Sequence, residues 1–173
     1  RMNASASPAP RHMALGQLYT NQILDPALLN ILVNTPRQAY VPSHLAGVAY
    51  VDEDLPLGKD RILMEPLIFA RLVELAQLNP TDHVLIVACG YGYPAAVIAQ
   101  LCAKVTACES HTEMAQQAAI RLQQQNVKNG HVVSVINVAE GDAREAPYNA
   151  IIINGAVEAF PQTLLNQLAE GGR

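Results

Sequence analysis

Hydrophobic and polar positions along the chain change rhythm near residue 80. Before it, apolar residues recur at helical spacing. Leu15, Leu18 and Gln22-Ile23 form a first helical stretch. Asp25-Pro26 restarts a helix with an N-cap and a proline at its first position. Leu28, Leu29, Leu32 and Val33 give that helix an apolar stripe, which Asn34-Thr35-Pro36 stops. Residues 36–66 are proline-bearing and lack a long periodic run, which predicts a loop-rich segment. Leu67 to Leu78 is amphipathic again and ends at Asn79-Pro80. After residue 80, short continuous apolar runs alternate with helical patterns. The runs are His83 to Val87, Val105 to Cys108, Val132 to Ile136 and Ala150 to Ile153. Helices are predicted over Ala95 to Leu101, His111 to Gln125 and Leu164 to Leu168. This alternation predicts an α/β fold, a parallel sheet with helices on both faces. Runs such as Ile151-Ile152-Ile153 belong in its buried middle.

Composition narrows the class. The chain has 173 residues, half of them apolar and 15% charged, which suits one compact domain with its own core. Its parts are a flexible leader over 1–10, a helical and loop region over 11–80, and a nucleotide-binding region over 81–173. The net charge of −4, with no Lys/Arg cluster, argues against a nucleic-acid partner. No apolar run reaches the ~20 residues of a membrane span, and no signal pattern opens the chain. Cys89, Cys102 and Cys108 form no CxxC pair, and the histidines are dispersed, so no metal site is predicted. Scattered cysteines fit a reducing cytoplasm.

The sharpest local signal is Val84-Leu85-Ile86-Val87-Ala88-Cys89-Gly90-Tyr91-Gly92-Tyr93, a strand feeding a glycine-bearing turn that opens a helix. Glycines let the backbone turn tightly and approach a ligand, and a helix N-terminus offers free N–H groups. About twenty residues on, Glu109 ends the next strand, where a carboxylate can accept both hydroxyls of a ribose. The alternative is a tight turn with a solvated glutamate; the strand–turn–helix–strand context favours the nucleotide. Gly90, Gly92 and Ala95 also satisfy the dinucleotide fingerprint, so the loop alone permits a nicotinamide-dependent oxidoreductase.

The flanking stretches separate the two. Pro36-Arg37-Gln38-Ala39-Tyr40-Val41-Pro42, Ala49-Tyr50-Val51-Asp52-Glu53-Asp54-Leu55-Pro56-Leu57-Gly58, Ala146-Pro147-Tyr148-Asn149-Ala150-Ile151-Ile152 and Leu164-Leu165-Asn166-Gln167-Leu168 stand around the glycine loop. With them, the chain from about Leu15 to Arg173 resembles the protein-L-isoaspartate O-methyltransferase family. The resemblance implies a class I, Rossmann-like methyltransferase sheet with an N-terminal helical extension, here ending after the fourth strand and its helix. It also implies S-adenosylmethionine as methyl donor, and isoaspartyl side chains of damaged proteins or peptides as acceptors.

The same resemblance assigns the site. Ala88, Cys89, Gly90, Tyr91 and Gly92 form the cofactor loop, Glu109 and Ser110 the ribose end, and Asn137 and Asn154 lie at later strand ends. The family's T-I-S-Q-P stretch, whose serine helps position substrate and donor, reads Ile62-Leu63-Met64-Glu65-Pro66 here. Met64 therefore stands at the serine position, although thioether sulfur has no proton to donate. Glu65 replaces a neutral glutamine, with Arg61 near enough in sequence to offset its charge. The favoured reading is that Met64 packs and Glu65 caps the helix at Pro66. Ile86 and Ala88 replace an acidic residue and a glycine, so weakened cofactor binding is expected, with strain at Ala88 if its φ is positive. Asn137 suits an adenine edge and an ordinary turn equally. These departures leave open a non-catalytic relative that keeps the fold. Gly171-Gly172-Arg173 precedes a further strand in the family, and the buried fourth strand predicts a natural chain continuing past Arg173, or another chain covering that edge.

Overall fold

The structure, a computed structural model, describes residues 7–173. Most of the expected leader lies outside the described residues, but its last two residues already belong to α1 (Ala9–His12). From α1 the chain winds through a wide π-type turn over Met13–Leu18 and a tight turn over Tyr19–Asn21. Gln22 stops it at φ 67°. Met13, Leu18 and Ile23 are buried by this path. α2 (Pro26–Asn34) starts as predicted: the Asp25 carboxylate accepts from the Ala27 N–H at 2.9 Å, and Pro26 occupies the first turn.

The segment expected to be loop contains a hairpin, β1 (Leu55–Gly58) paired antiparallel with β2 (Arg61–Leu63). Lys59 and Asp60 form its two-residue turn with φ of 52° and 57°. Positive φ at both positions is the mirror-image turn that matches strand twist. Arg37 holds the segment to the body. Its guanidinium is fully buried, donating from Nε to the Ala49 carbonyl at 2.6 Å and from Nη2 to the Met64 carbonyl at 2.8 Å. It also lies 4.9 Å from the centre of the Tyr93 ring. α3 (Pro66–Ala76) follows, burying Phe69, Ala70 and Val73, and ends at Gln77 in a left-handed conformation.

The alternating half then unfolds in order: β3 (His83–Val87), α4 (Tyr93–Ile98), β4 (Lys104–Glu109), α5 (Thr112–Gln124), β5 (Gly130–Ser134), β6 (Ala150–Ile153) and α6 (Gln162–Leu165). The sheet is parallel with order β5-β4-β3-β6, so Ile151-Ile152-Ile153, expected in the buried middle, stands at an edge with Ile151 and Ile153 half-buried. Two short tight turns, Val138–Glu140 and Ala143–Glu145, lie between β5 and β6. Strand alternation divides the core. Val84 and Ile86 join a cluster with Leu28, Tyr40, Phe69 and Ala95, whereas Leu85 and Val87 pack with Cys108, Tyr148 and Leu164 on the other face. Both faces of β3 are thus covered, which is why its run is unbroken by polar residues.

Several predicted boundaries move, three of them by enough to matter. The helix expected over Ala95 to Leu101 begins at Tyr93 and ends at Ile98. The third strand runs Gly130–Ser134, two residues earlier than its apolar run, and Ile136 is fully exposed. The last helix is one turn, Gln162–Leu165, after which Leu168 bridges Tyr148. Beside β6, Ile151 donates to the Arg173 carbonyl at 2.8 Å and Arg173 donates to the Asn149 carbonyl at 3.1 Å. Among the described residues no helix is long and apolar enough to cross a membrane.

Candidate functional site

β3 delivers its last residue into a crook. Ala88, Gly90 and Gly92 have φ of 61°, 59° and 98°. The left-handed conformation suits glycine at Gly90 and Gly92, but at Ala88 it places a Cβ where the backbone disfavours one. An added Cβ would press on Leu57 Cδ1 at 3.3 Å at Gly90, while at Gly92 it would meet Ala118 Cβ at an ordinary 3.4 Å, so at Gly92 the backbone conformation alone calls for glycine. Cys89 is buried beneath the crook, and burial pushes its thiol well above the ordinary value, so it takes no part as a thiolate. Tyr91 turns away and lies against the Arg121 guanidinium, 4.1 Å from the ring centre. Ile86 packs into the core.

Glu109, the last residue of β4, is fully buried and points back under the crook. Its Oε2 accepts from the Gly90 N–H at 2.9 Å, and its Oε1 from the N–H groups of Ser110 and His111 at 2.8 and 3.1 Å. The glutamate also meets Arg61, brought across by the hairpin. Nε lies 3.1 and 2.9 Å from the two carboxylate oxygens, and Nη2 lies 2.8 Å from Oε1 and 3.0 Å from Ser110 Oγ. This is a forked, desolvated ion pair, the strong form of a charge-assisted hydrogen bond. The sequence suggested that Arg61 offsets Glu65; the structure instead gives it to Glu109, 48 residues away.

A cleft of about 320 Å³ opens beside this pair at the carboxyl ends of β3 and β6, where α/β sheets bind ligands. Arg61, Ala88, Val138, Asn154 and Leu164 are among its walls. A larger hollow of about 500 Å³ lies between Thr35, Gln100 and Asn129, away from the glycine loop. Asn154 is buried and donates from Nδ2 to the Ala88 carbonyl at 3.0 Å, so it braces the crook while facing the cleft. Asn137 is exposed, and its Oδ1 accepts from the Ala139 N–H at 3.0 Å. Of the two uses the sequence allows it, the structure shows the turn.

Met64 packs in the core at 8% exposure, with its carbonyl taken by Arg37, and does not line the cleft. Glu65 occupies the N-cap position of α3, but its side chain makes no capping hydrogen bond. What fixes that corner is its backbone N–H, which donates to Asp54 Oδ1 at 2.8 Å. Of the residues singled out in the sequence, the structure places Ala88 and Asn154 in the cleft wall, while Gly90, Gly92, Glu109 and Ser110 lie behind it, joined to it through Arg61. It leaves Met64, Glu65, Tyr91, Cys89 and Asn137 outside the cleft wall. Arg61 is the residue that the sequence pattern assigned elsewhere.

The profile of the protein-L-isoaspartate (D-aspartate) O-methyltransferase family matches residues 11–173. The chain belongs to that family. The relative from Koribacter versatilis is 39% identical over 157 residues, covering 91% of this chain and 70% of its own. That from Picosynechococcus is 36% identical over 162 residues, covering 94% of this chain and 72% of its own. A solved protein-L-isoaspartate O-methyltransferase superposes with a TM-score of 0.82 at 22% identity, over 94% of this chain and 53% of that one. A Plasmodium falciparum structure of the same type, in complex with S-adenosyl-L-homocysteine, gives 0.75 at 16% identity, over 94% and 80%. At such identities the solved structures establish the fold. Members of the isoaspartate methyltransferase family use S-adenosylmethionine, which decides between the two cofactors that the glycine loop alone permits.

Proposed function

We propose that this isoaspartate methyltransferase relative binds S-adenosylmethionine in the 320 Å³ cleft and directs its methyl group to an isoaspartyl carboxylate. The observation that carries this reading is the buried Glu109 carboxylate beneath the crook of Gly90 and Gly92. Those residues fit the nucleoside end: a tight glycine-bearing backbone bend, and an anionic acceptor for sugar hydroxyls. Ala88 and Asn154 border the cleft beside the crook, and Ser110 borders the ribose end. S-adenosylmethionine supplies a methyl group already activated on sulfonium. The chain's own task is alignment, because a carboxylate acceptor with a reference pKa of about 4 is ionised at neutral pH and needs no general base. Residues 11–80 form the side from which a peptide approaches, and residues 81–173 the nucleotide side.

Met64, at the family's serine position, gives the acceptor no hydrogen bond, and Glu65 adds a negative charge near its approach. Neither side chain lines the cleft, so these departures bear on the acceptor and leave cofactor binding in place. The partner is a peptide or protein bearing isoaspartyl residues, with neither nucleic acid nor membrane involved. The three free, buried cysteines favour the reducing cytoplasm.

Transfer of tritiated methyl groups from S-adenosylmethionine to an isoaspartyl peptide, with its aspartyl twin as control, tests the proposal. Labelling of the isoaspartyl peptide alone supports it, and Met64→Ser increases the rate. Cofactor binding with no transfer to either peptide, in the parent and in Met64→Ser, assigns the chain to the non-catalytic alternative.

A further inference from the structure

The acceptor sites of Glu109 are all in use. A carboxylate offers about four lone-pair directions. The Gly90, Ser110 and His111 N–H groups and the Arg61 fork take them. The three backbone donors belong to the crook and to the end of β4, and they move only if the sheet does. Arg61 is different. It sits on a flexible stem beside an exposed two-residue turn, its side chain 11% exposed, at the mouth of the cleft. The hairpin tip makes one other ion pair across to α5, Lys59 with Glu113 at 4.0 Å, and both side chains are largely exposed. Such a contact holds little.

We infer that Arg61 is a latch on the nucleoside site: ribose hydroxyls reach Glu109 only in exchange for the guanidinium. The inference rests on the proposed use of Glu109 and adds what governs it. Two hydroxyls replace one forked cation, so the loss of a charge-assisted pair opposes binding, and the apparent affinity falls by the fraction of time the latch is open. Arg61 thereby sets cofactor affinity without being one of the cofactor's ligands. A change that draws the guanidinium elsewhere, such as an anion near the hairpin, raises affinity from outside the cleft.

Calorimetric titration of S-adenosylhomocysteine into the parent, Arg61→Gln and Arg61→Lys tests this, with thermal melting run on each. Arg61→Gln binds at least about tenfold tighter than the parent, and Arg61→Lys, which keeps the charge and loses the fork, falls between them. Binding by Arg61→Gln with none by the parent also supports the latch. Equal affinities with an altered melting temperature reduce Arg61 to a structural role, and weaker binding by Arg61→Gln makes it a ligand. Either result overturns the latch and leaves the proposed function standing. If no folded variant binds, the functional reading falls and the latch falls with it. Should Arg61→Gln fail to fold, Arg61→Lys carries the comparison with the same expected direction.

Discussion

Arg37 is a buried charge with no carboxylate partner among the described residues, and removing it shows what holds the hairpin in place. Arg37→Ala strips donors from the buried carbonyls of Ala49 and Met64, each costing about 1–3 kcal/mol when left unpaired. It also removes the cation lying 4.9 Å over the Tyr93 ring, worth about 1–2 kcal/mol when desolvated. Relief of the desolvated charge offsets part of this, so the net loss is about 3–5 kcal/mol. Against a typical domain stability of about 5–15 kcal/mol, that is a large fraction. Arg37→Lys satisfies one carbonyl at most and loses the planar stack, for about 2 kcal/mol. Arg37→Met separates charge from packing: it keeps the volume and leaves both carbonyls bare, so it still loses at least about 2 kcal/mol. Urea unfolding followed by far-UV circular dichroism measures all three. An Arg37→Met variant as stable as the parent would refute the reasoning, because it would mean that the buried charge costs as much as its hydrogen bonds return.

Other outcomes follow from the same geometry. Glu109→Gln removes the negative charge that Arg61 faces, and costs about 3 kcal/mol in urea unfolding as the guanidinium is left unpaired in a buried site. His83 is held below its ordinary 6.5 by desolvation first, then by Lys104 and His131, against the opposing pull of Glu145. The unfolded chain therefore takes up a proton more readily, and stability falls as pH drops below about 6.5, an effect that His83→Gln removes from a pH series of melting temperatures. Burial raises the thiols of Cys102 and Cys108 to about 11 and holds that of Cys89 well above its ordinary value. Iodoacetamide at pH 8 accordingly leaves the folded chain unlabelled and labels all three cysteines in urea, read by intact mass.

Sequence and structure agree where burial is uniform. His83–Val87 is read off residue for residue, because both faces of β3 are covered; Ala150–Ile153 is also matched in its bounds, although β6 stands at an edge of the sheet with Ile151 and Ile153 only half-buried. The edge strand β5 is only half-buried, so its apolar residues do not mark its ends, and the pattern shifts it by two. The hairpin escapes for a local reason: its turn is Lys59-Asp60, both at positive φ, rather than the Asn-Gly or Asp-Gly that announces such a turn. The crook and its carboxylate were legible as motif and spacing, including the positive φ feared at Ala88. What the crook's carboxylate touches was not. Arg61 and Glu109 belong to no shared period, and only the fold of the intervening chain brings them together.

Crystals of the Arg61→Gln variant grown with S-adenosylhomocysteine test the central claim most directly. The account predicts the ligand in the cleft beside Ala88 and Asn154, with both ribose hydroxyls on the Glu109 carboxylate. Density for the ligand at another site, with Glu109 still bound only by the backbone of Gly90, Ser110 and His111, would contradict it.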